Sequence, residues 1–291
     1  MKSPRKWLLE RPVARRPRLA LKLSTQELGI ASVCLRLEPS SPLFRAGVAE
    51  TVELPLDDVM SPYVMDYGRW QPEELRFVET HLPEGDCVLV DVGANIGLIT
   101  RQLVHSIPRI AAAVCVEPHP GNFAMLTRNL VHLPLCRLIQ AAMGTQDGEL
   151  RFYEDLRNAG NYSLHADAMR GTSYRTTIVN RLKATEDRLL AELPAPLRQA
   201  PILWKSDTQG CDEAIAVTLP DDFSNRVHSG VMEICRIDKP SFDRERFGQI
   251  LERFSVRRFG DEPDKNLSIN QILEFSGGTD YRYADLYFSR T

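Results

Sequence analysis

The sequence predicts an α/β fold: a Rossmann-like, doubly wound, mostly parallel seven-stranded sheet with helices on both faces and a final antiparallel strand. Short apolar runs of strand length alternate with helical segments along the chain, as in parallel sheets that are covered on both sides. The run Cys87-Val88-Leu89-Val90 is continuously apolar, which is typical of a strand buried on both faces. A glycine-containing turn then leads into a helix, at the position where such sheets bind ligands.

The remaining elements follow from local patterns. Apolar residues at helical spacing predict helices that open at Pro72 and Ile96, a helix over Phe123–Leu130, and a later one capped by Ser241. Runs rich in β-branched and other apolar residues predict the strands. In chain order, the predicted strands cover residues 52–54, 87–90, 111–116, 138–142, 150–153, 202–204, 231–235, 255–259 and 284–288.

The charge is unevenly distributed along the 291 residues. The net charge is −3, yet the first 22 residues hold eight Lys or Arg and one Glu, so the rest of the chain is acidic. An acidic body argues against a nucleic-acid-binding surface. We interpret the basic head as a solvated tail, with contact to anionic lipid or an acidic partner as the alternative. The apolar run Trp7-Leu8-Leu9 is too short to be the hydrophobic region of a secretory signal. The sequence contains no run of about 18 apolar residues, so we expect no membrane-spanning helix.

The six cysteines do not form a CxxC pair. Cys87, Cys115 and Cys235 lie within apolar segments that are predicted to be strands, and buried free cysteine behaves as a small hydrophobic residue. We therefore expect reduced core cysteines in a cytoplasmic protein, with neither a disulfide framework nor a cysteine zinc site.

The strand that starts at Cys87 ends in an acidic turn. Asp91 closes the strand, and Gly93 and Gly97 flank the turn that opens the next helix. Glycine allows the backbone to turn sharply and to approach a ligand closely. Glu117 ends the following strand, 20 residues after Gly97, where a carboxylate can accept hydrogen bonds from ribose hydroxyls.

Two classes of cofactor use such a turn. A dinucleotide needs G-x-G-x-x-G, but Asn95 and Leu98 occupy the second and third glycine positions here, and a strand-end carboxylate repels phosphate. S-adenosylmethionine has no phosphate, and carboxylates attract its sulfonium and ammonium groups. Two glycines at this spacing are, by themselves, also typical of close helix packing. The combined pattern predicts an S-adenosylmethionine site that includes Asp91, Gly93, Asn95, Gly97 and Glu117.

Further ligand contacts are expected after the next two strands. His119 follows Glu117 closely enough to touch the adenosine, and Gln140 and Ala141 lie near the end of the third strand, where Gln140 could bind adenine. A polar loop follows and offers neutral hydrogen-bonding groups suited to sugar hydroxyls, although Asn and Gly are also ordinary turn residues. The candidate substrate-binding residues in this loop are Asn158, Asn161, Tyr162 and Ser163.

Several segments resemble, in order, those of the FkbM-type methyltransferases, a branch of the class I S-adenosylmethionine-dependent fold. Asn158–Leu164 resembles the family's Asn-x-Gly-x-x-Ser-Leu signature, and Lys205–Asp212 resembles its Lys-Ile-Asp-Val-Glu-Gly-Ala-Glu segment, from which it departs at Ser206, Gln209 and Asp212. The other similar segments are 91–97, 117–120, 129–130, 141–144 and 147–148.

This resemblance implies methyl transfer to a hydroxyl of a sugar, glycan or glycosylated metabolite. The alternatives are O- or N-methylation of a polyketide or peptide product, and a non-catalytic cofactor-binding adaptor subunit. The match spans about Tyr67–Phe259, so we expect an N-terminal extension at 1–60, basic at its start, and a methyltransferase domain at 61–291. The expected partners are a small-molecule or glycan acceptor and a second copy of the chain, but no nucleic acid.

Methylation of a hydroxyl needs a base or a metal ion, because an alcohol is a poor nucleophile. Asp207 is the candidate base, since it follows a strand next to the cofactor strand. Lys205 leaves the same face of that strand and could orient Asp207 or form an ion pair. Glu233 places a charge in an apolar strand, which is rare without a partner or a purpose. Alternatively, Asp207 caps the next helix, binds the cofactor amine, or holds a divalent cation with Asp212 or Glu233.

Overall fold

The computed structural model describes residues 32–239, 241–260 and 265–290, and the basic head at 1–22 lies outside these ranges. The strands are β1 (Ser32–Arg36), β2 (Thr51–Pro55), β3 (Cys87–Val92), β4 (Ile110–Val116), β5 (Cys136–Ile139), β6 (Ala142–Gly144), β7 (Gly148–Asp155), β8 (Tyr162–Ser163), β9 (Tyr174–Lys183), β10 (Ile202–Ser206), β11 (Val227–Cys235), β12 (Val256–Phe259) and β13 (Tyr283–Ser289).

Along the chain, most helices connect one strand of the central sheet to the next. A short 3₁₀ helix covers Ala166–Met169. The α-helices are α1 (Met60–Tyr67), α2 (Pro72–Thr80), α3 (Leu98–Ser106), α4 (Pro120–Leu130), α5 (Glu186–Leu190), α6 (Ala195–Arg198), α7 (Asp212–Thr218), α8 (Asp221–Ser224), α9 (Arg244–Leu251) and α10 (Ile269–Ser276).

The central sheet has seven strands in the order β12-β13-β11-β10-β3-β4-β5. The neighbouring strands from β11 to β5 are all parallel, and β13 is antiparallel to both β11 and β12. The predicted fold class, including the final antiparallel strand, is confirmed. The chain leaves β3 toward β4 and β5 and later returns to β10 on the other side of β3. This reversal creates a topological switch point, where sheets of this type bind ligands.

Helices cover both faces of the sheet, because alternate residues of a strand point to opposite sides. From β3, Val90 points into a core that includes Phe247 of α9. Its neighbour Leu89 points to the other face, with Leu103 of α3 and Leu126 of α4. Both residues are essentially fully buried, as the apolar run predicts.

A second sheet, in the order β6-β9-β7-β8, is inserted between β5 and β10. The single strand predicted at 138–142 is in fact two, because β5 belongs to the central sheet and β6 to this second one. The segment predicted at 150–153 extends over Gly148–Asp155 and pairs with β9, a strand that the sequence reading missed. The helix assigned to a Ser241 cap begins at Arg244, where Asp243 accepts the capping hydrogen bond.

The buried cysteines agree with the prediction. Cys87, Cys115 and Cys235 are all buried, and the described cysteines are free thiols. Within the described ranges, no helix combines the length and the apolar character needed to cross a bilayer.

The segment that connects β1 to β2 is attached to the sheet domain through Arg101 of α3. This side chain is 1% exposed. Its Nε donates to the Leu43 carbonyl at 2.7 Å, and one of its terminal nitrogens donates to the Ala49 carbonyl at 2.9 Å. A buried carbonyl that loses its donor costs about 1–3 kcal/mol. Arg101 therefore fixes residues 43–49 against α3.

Replacing Arg101 with methionine should lower the free energy of unfolding by about 1–3 kcal/mol, because the buried Leu43 carbonyl loses its donor, whereas the Ala49 carbonyl keeps the Arg45 amide. Urea unfolding followed by circular dichroism measures this. Arg76→Met is the matched control: Arg76 is exposed and pairs with Glu73 within one helical turn, and such pairs contribute little. Equal effects of the two substitutions would contradict the anchoring role of Arg101.

Candidate functional site

A cavity of about 470 Å³ opens at the carboxyl ends of β3, β4, β10 and β11. Its volume lies within the range of about 300–1,000 Å³ that is typical of small-molecule sites. It lies at the switch point between β3 and β10. Of the residues predicted from the sequence, its wall contains Gly93, Asn95, Glu117, Ala141, Asn158, Asn161, Tyr162, Lys205, Asp207 and Glu233.

The turn after β3 depends on Gly93. Its φ is +75°, and a Cβ atom at this position would lie 2.0 Å from the carbonyl oxygen of Asp207. No other residue type fits, because the contact is with backbone. The Asp207 amide also donates to the Val92 carbonyl at 3.0 Å. The ends of β3 and β10 are thus in direct backbone contact beneath the cavity.

Gly97 has a different role from the predicted cofactor contact. It lies outside the cavity wall, and its added Cβ would come 2.8 Å from Leu126 and 3.0 Å from Leu130 of α4. Its φ of +84° also suits the residue that precedes α3. Gly97 therefore allows α3 and α4 to approach each other closely, which is the helix-packing alternative.

Asp91 lies one layer behind the wall. Its side chain is fully buried, accepts a hydrogen bond from the Thr100 hydroxyl at 2.7 Å and lies 3.1 Å from the Lys205 ammonium. Lys205 also donates to the Gly93 carbonyl at 2.9 Å. The negative charge that was predicted to attract the cofactor directly is thus paired with Lys205. The ion pair that the sequence analysis left open for Lys205 is formed.

Glu117 lies in the cavity wall and holds the turn in place. One of its oxygens accepts the Asn95 amide and the other accepts the His119 amide, both at 2.9 Å. Burial raises the pKa of this carboxyl to about 7. The Asn95 side chain donates to the Ala159 carbonyl at 2.9 Å, whereas its buried oxygen has no hydrogen-bond partner among the described residues.

The His119 ring is buried and lies outside the wall. Its Nδ1 accepts the Asn122 amide at 3.2 Å and so caps α4, and its Nε2 lies 3.3 Å from Glu154. Asn122 lines the cavity in its place. His119 therefore has a structural role as the cap of α4, and its contact with the adenosine stays a prediction.

The segment that follows β5 provides an apolar part of the cavity wall. Gln140, the predicted adenine partner, is exposed and lies outside the cavity, whereas Ala141 is in the wall. Ala142 and Met143 follow it there and are also buried. Ala142 packs with Phe152 and Met143 packs in the main core, so this segment lines the cavity with apolar residues.

The polar loop 158–164 crosses the cavity. Asn95 and Asn122 both donate to the Ala159 carbonyl, at 2.9 and 3.2 Å, which ties the loop to the β3 turn and to α4. At the other end, the Ser163 hydroxyl donates to the Gln209 carbonyl at 2.7 Å. Ser163 is fully buried and outside the wall, so it fastens the loop. Asn158, Asn161 and Tyr162 are in the wall, where Asn158 accepts the Gly160 amide and Asn161 donates to Asp155, both at 2.9 Å.

Of the three candidate metal ligands, Asp207 and Glu233 line the cavity and Asp212 does not. Asp212 is fully buried outside the cavity wall and accepts the Thr208 hydroxyl at 2.8 Å. Burial raises the pKa of Asp212 to about 7. Across the described ranges, no three His, Cys, Asp or Glu side chains are grouped so that they could hold a metal ion. The predicted divalent cation therefore has no support from the arrangement of Asp207, Asp212 and Glu233.

The sequence reading missed several residues of the site. Glu74 is buried beside Phe77 and Val78 on α2, and an acidic residue at helical spacing with apolar ones was a signal that could have been read. Arg170 and Tyr281 lie at the cavity wall, with the guanidinium 3.8 Å from the ring centroid. Both are on irregular segments, where no periodic pattern could reveal them.

The chain matches no protein-family model and no curated protein. Among solved structures it is similar to the 23S rRNA methyltransferase ErmE, with 15% identity, 77% of this chain and 69% of that chain covered, and a TM-score of 0.37. It is also similar to methyltransferase FkbM from Methylobacillus flagellatus KT, with 14% identity and a TM-score of 0.39. The match covers 79% of this chain and 51% of that chain, so the chain spans about half of that protein. A third similar structure is geranyl diphosphate C-methyltransferase from Streptomyces coelicolor A3(2), with 12% identity, 98% of this chain and 96% of that chain covered, and a TM-score of 0.36. These values are too low to place the chain in a family.

Lys205→Met should lower the free energy of unfolding by about 3–5 kcal/mol, because it leaves the buried Asp91 carboxylate without its counter-ion. The double variant Lys205→Met/Asp91→Asn should recover part of this loss, since no unpaired charge remains. Urea unfolding of the two single variants and the double variant measures the coupling. Strictly additive losses would contradict a direct ion pair.

Proposed function

We propose that the protein is an S-adenosylmethionine-dependent O-methyltransferase that methylates a hydroxyl of a sugar, glycan or glycosylated metabolite. The observation that carries this proposal is the switch-point cavity, whose wall combines the Gly93 turn after β3 with Glu117 at the end of β4. The methyltransferase domain is proposed to cover residues 61–291, with residues 1–60 as an extension.

The cavity suits this cofactor in three respects. The Glu117 carboxylate has lone pairs left for ribose hydroxyls besides the two amides that it accepts. The apolar surface of Ala141, Ala142 and Met143 suits an adenine ring. Asn95 also lines the cavity, and its backbone amide donates to Glu117 and so fixes that carboxylate toward a ribose. The carboxylates of Glu117 and Asp207, on either side of the Gly93 turn, disfavour a pyrophosphate.

When bound, S-adenosylmethionine supplies a methyl group that is already activated by its sulfonium. The protein must then hold the acceptor oxygen close and in line. Asp207 lies in the cavity wall beside Gly93, and Gln209 donates to its carboxylate at 2.7 Å, which fixes its orientation. Asp207 would take the proton of the acceptor hydroxyl. Loop 158–164 crosses the cavity and would keep bulk water from the reacting groups.

The neutral polar groups of this loop support a hydroxyl-rich acceptor. Asn158, Asn161 and Tyr162 line the cavity, and uncharged amide and phenol groups can donate to and accept from sugar hydroxyls. The direct test is to incubate the protein with methyl-labelled S-adenosylmethionine and a fractionated native extract, and to identify the labelled product. We expect an O-methylated glycan or glycosylated compound; the absence of any labelled product would count against the proposal.

Glu117→Gln should weaken S-adenosylmethionine binding by about tenfold or more, because a hydrogen bond to a charged group contributes about 1.5–3 kcal/mol. Isothermal titration calorimetry measures this. Glu192→Gln is the matched control, since Glu192 is exposed and pairs with Arg137 away from the cavity. Equal affinities for the Glu117 variant and the control would contradict the assigned contact.

The same contact predicts a pH dependence. Because the pKa of Glu117 is raised to about 7, the carboxyl gains a proton as the pH falls from 8 to 6 and then loses acceptor capacity. Cofactor affinity of the native protein should therefore decrease over this interval. The Glu117→Gln variant should show a flatter profile, and identical profiles would assign the titration to another group.

Asp207→Asn should lower the turnover of the labelled acceptor by about 10²–10⁴-fold, which is the usual contribution of a general base. Cofactor affinity should change much less, since the side-chain shape is kept. Single-turnover transfer of the labelled methyl group and calorimetry separate the two effects. Full turnover by the variant would remove Asp207 from the role of base.

A further inference from the structure

Three carboxyl groups occupy neighbouring positions at the carboxyl edge of the sheet. Glu233 of β11 and Asp285 of β13 are direct partners in the antiparallel register. Lys205 of β10 is level with Val231, so Asp207 and Glu233 each lie two residues beyond this pair. Because side chains two residues apart share a face, these three carboxyls, here called the acidic row, project from the same face of the sheet.

Lys205 acts on Asp207 and Asp285 of the acidic row, and Glu233 is the member without a close cation among the described residues. It lies in the cavity wall and is 6% exposed. Within the described ranges its one hydrogen bond comes from the Cys235 thiol, at 3.1 Å, and it forms no ion pair there. The charged groups that act on it are all acidic: Asp207, Asp212 and Asp285. A buried carboxylate without a cation is costly, so this group is one that a ligand would neutralise.

The nearby ammonium of the protein is already engaged. Lys205 is held by Asp91 and by the Gly93 carbonyl. Glu74, from α2, adds a further buried carboxyl beside the row. Burial, together with the neighbouring acids, raises the pKa of Glu74 well above its usual value and that of Asp285 to about 6. Lys205 is thus one ammonium among several carboxyl groups around the row. The guanidinium groups of Arg170 and Arg282, which also line the cavity, are paired with Asp167 and Asp280.

We infer that the acceptor carries an ammonium group that binds in the cavity between Asp207 and Glu233, with Asp285 behind them. The acceptor class is thus a hydroxyl compound that also bears an amine, such as an amino sugar. This inference rests on the proposed function. The cofactor brings a sulfonium, an ammonium and a carboxylate, and this single net positive charge does not balance three carboxyl groups.

Chemical blocking of amines tests the acceptor class before the acceptor itself is identified. A native extract is divided, one half is treated with N-hydroxysuccinimidyl acetate to acetylate primary amines, and both halves are incubated with the protein and methyl-labelled S-adenosylmethionine. We expect acetylation to reduce labelling at least tenfold. Unchanged labelling would overturn the inference and leave the proposed function standing, whereas no labelling of the untreated half would count against both.

The variants Glu233→Gln and Asp285→Asn show whether the row is the binding element. Each removes a charge and keeps the shape, so folding is retained. With the labelled acceptor fraction as substrate, KM should rise about tenfold while the Kd for S-adenosylmethionine changes less than twofold. Glu192→Gln should alter neither value. If the two row variants weaken the cofactor tenfold and leave KM unchanged, the row serves the cofactor and the inference is wrong.

Discussion

The contact between the ends of β3 and β10 determines the rest of the site. Gly93 leaves space for the Asp207 carbonyl, which would otherwise lie 2.0 Å from a Cβ atom. Lys205 joins the same two strands through the Asp91 carboxylate and the Gly93 carbonyl. Because these contacts are backbone contacts or buried charges, they allow little alternative geometry. The switch point is thus held closed at its base and stays open above, where the cavity forms.

The two sides of the cavity differ in chemistry because different strands supply them. On the β4 side, Glu117 and the apolar Ala141 line the cavity, at the proposed adenosine region. On the β10 and β11 side, Asp207 and Glu233 supply acidic groups to the proposed acceptor region. Loop 158–164 is bonded to both sides, through Ala159 and Ser163. It therefore links the proposed cofactor and acceptor regions.

Much of the fold was readable from the sequence, since a continuous apolar run such as Cys87–Val92 has few alternatives to a buried strand. Strand β9 was missed because its exposed face carries polar residues, and its pairing with β7 gives no local signal. The outline of the site was predicted as well, because Gly93, Glu117 and Asp207 follow or end strands that the apolar runs reveal. Whether Asp91 faces the ligand or Lys205 depends on burial by β10, 114 residues away in the chain, which no local pattern encodes.

We propose that the switch-point cavity binds S-adenosylmethionine and not a dinucleotide. Calorimetric titration of the full chain with S-adenosylmethionine, and separately with NAD⁺, distinguishes the two ligands. We expect saturable binding of one S-adenosylmethionine per chain and no heat of binding with NAD⁺. Saturable binding of NAD⁺ with none of S-adenosylmethionine would show that the cavity is a dinucleotide site.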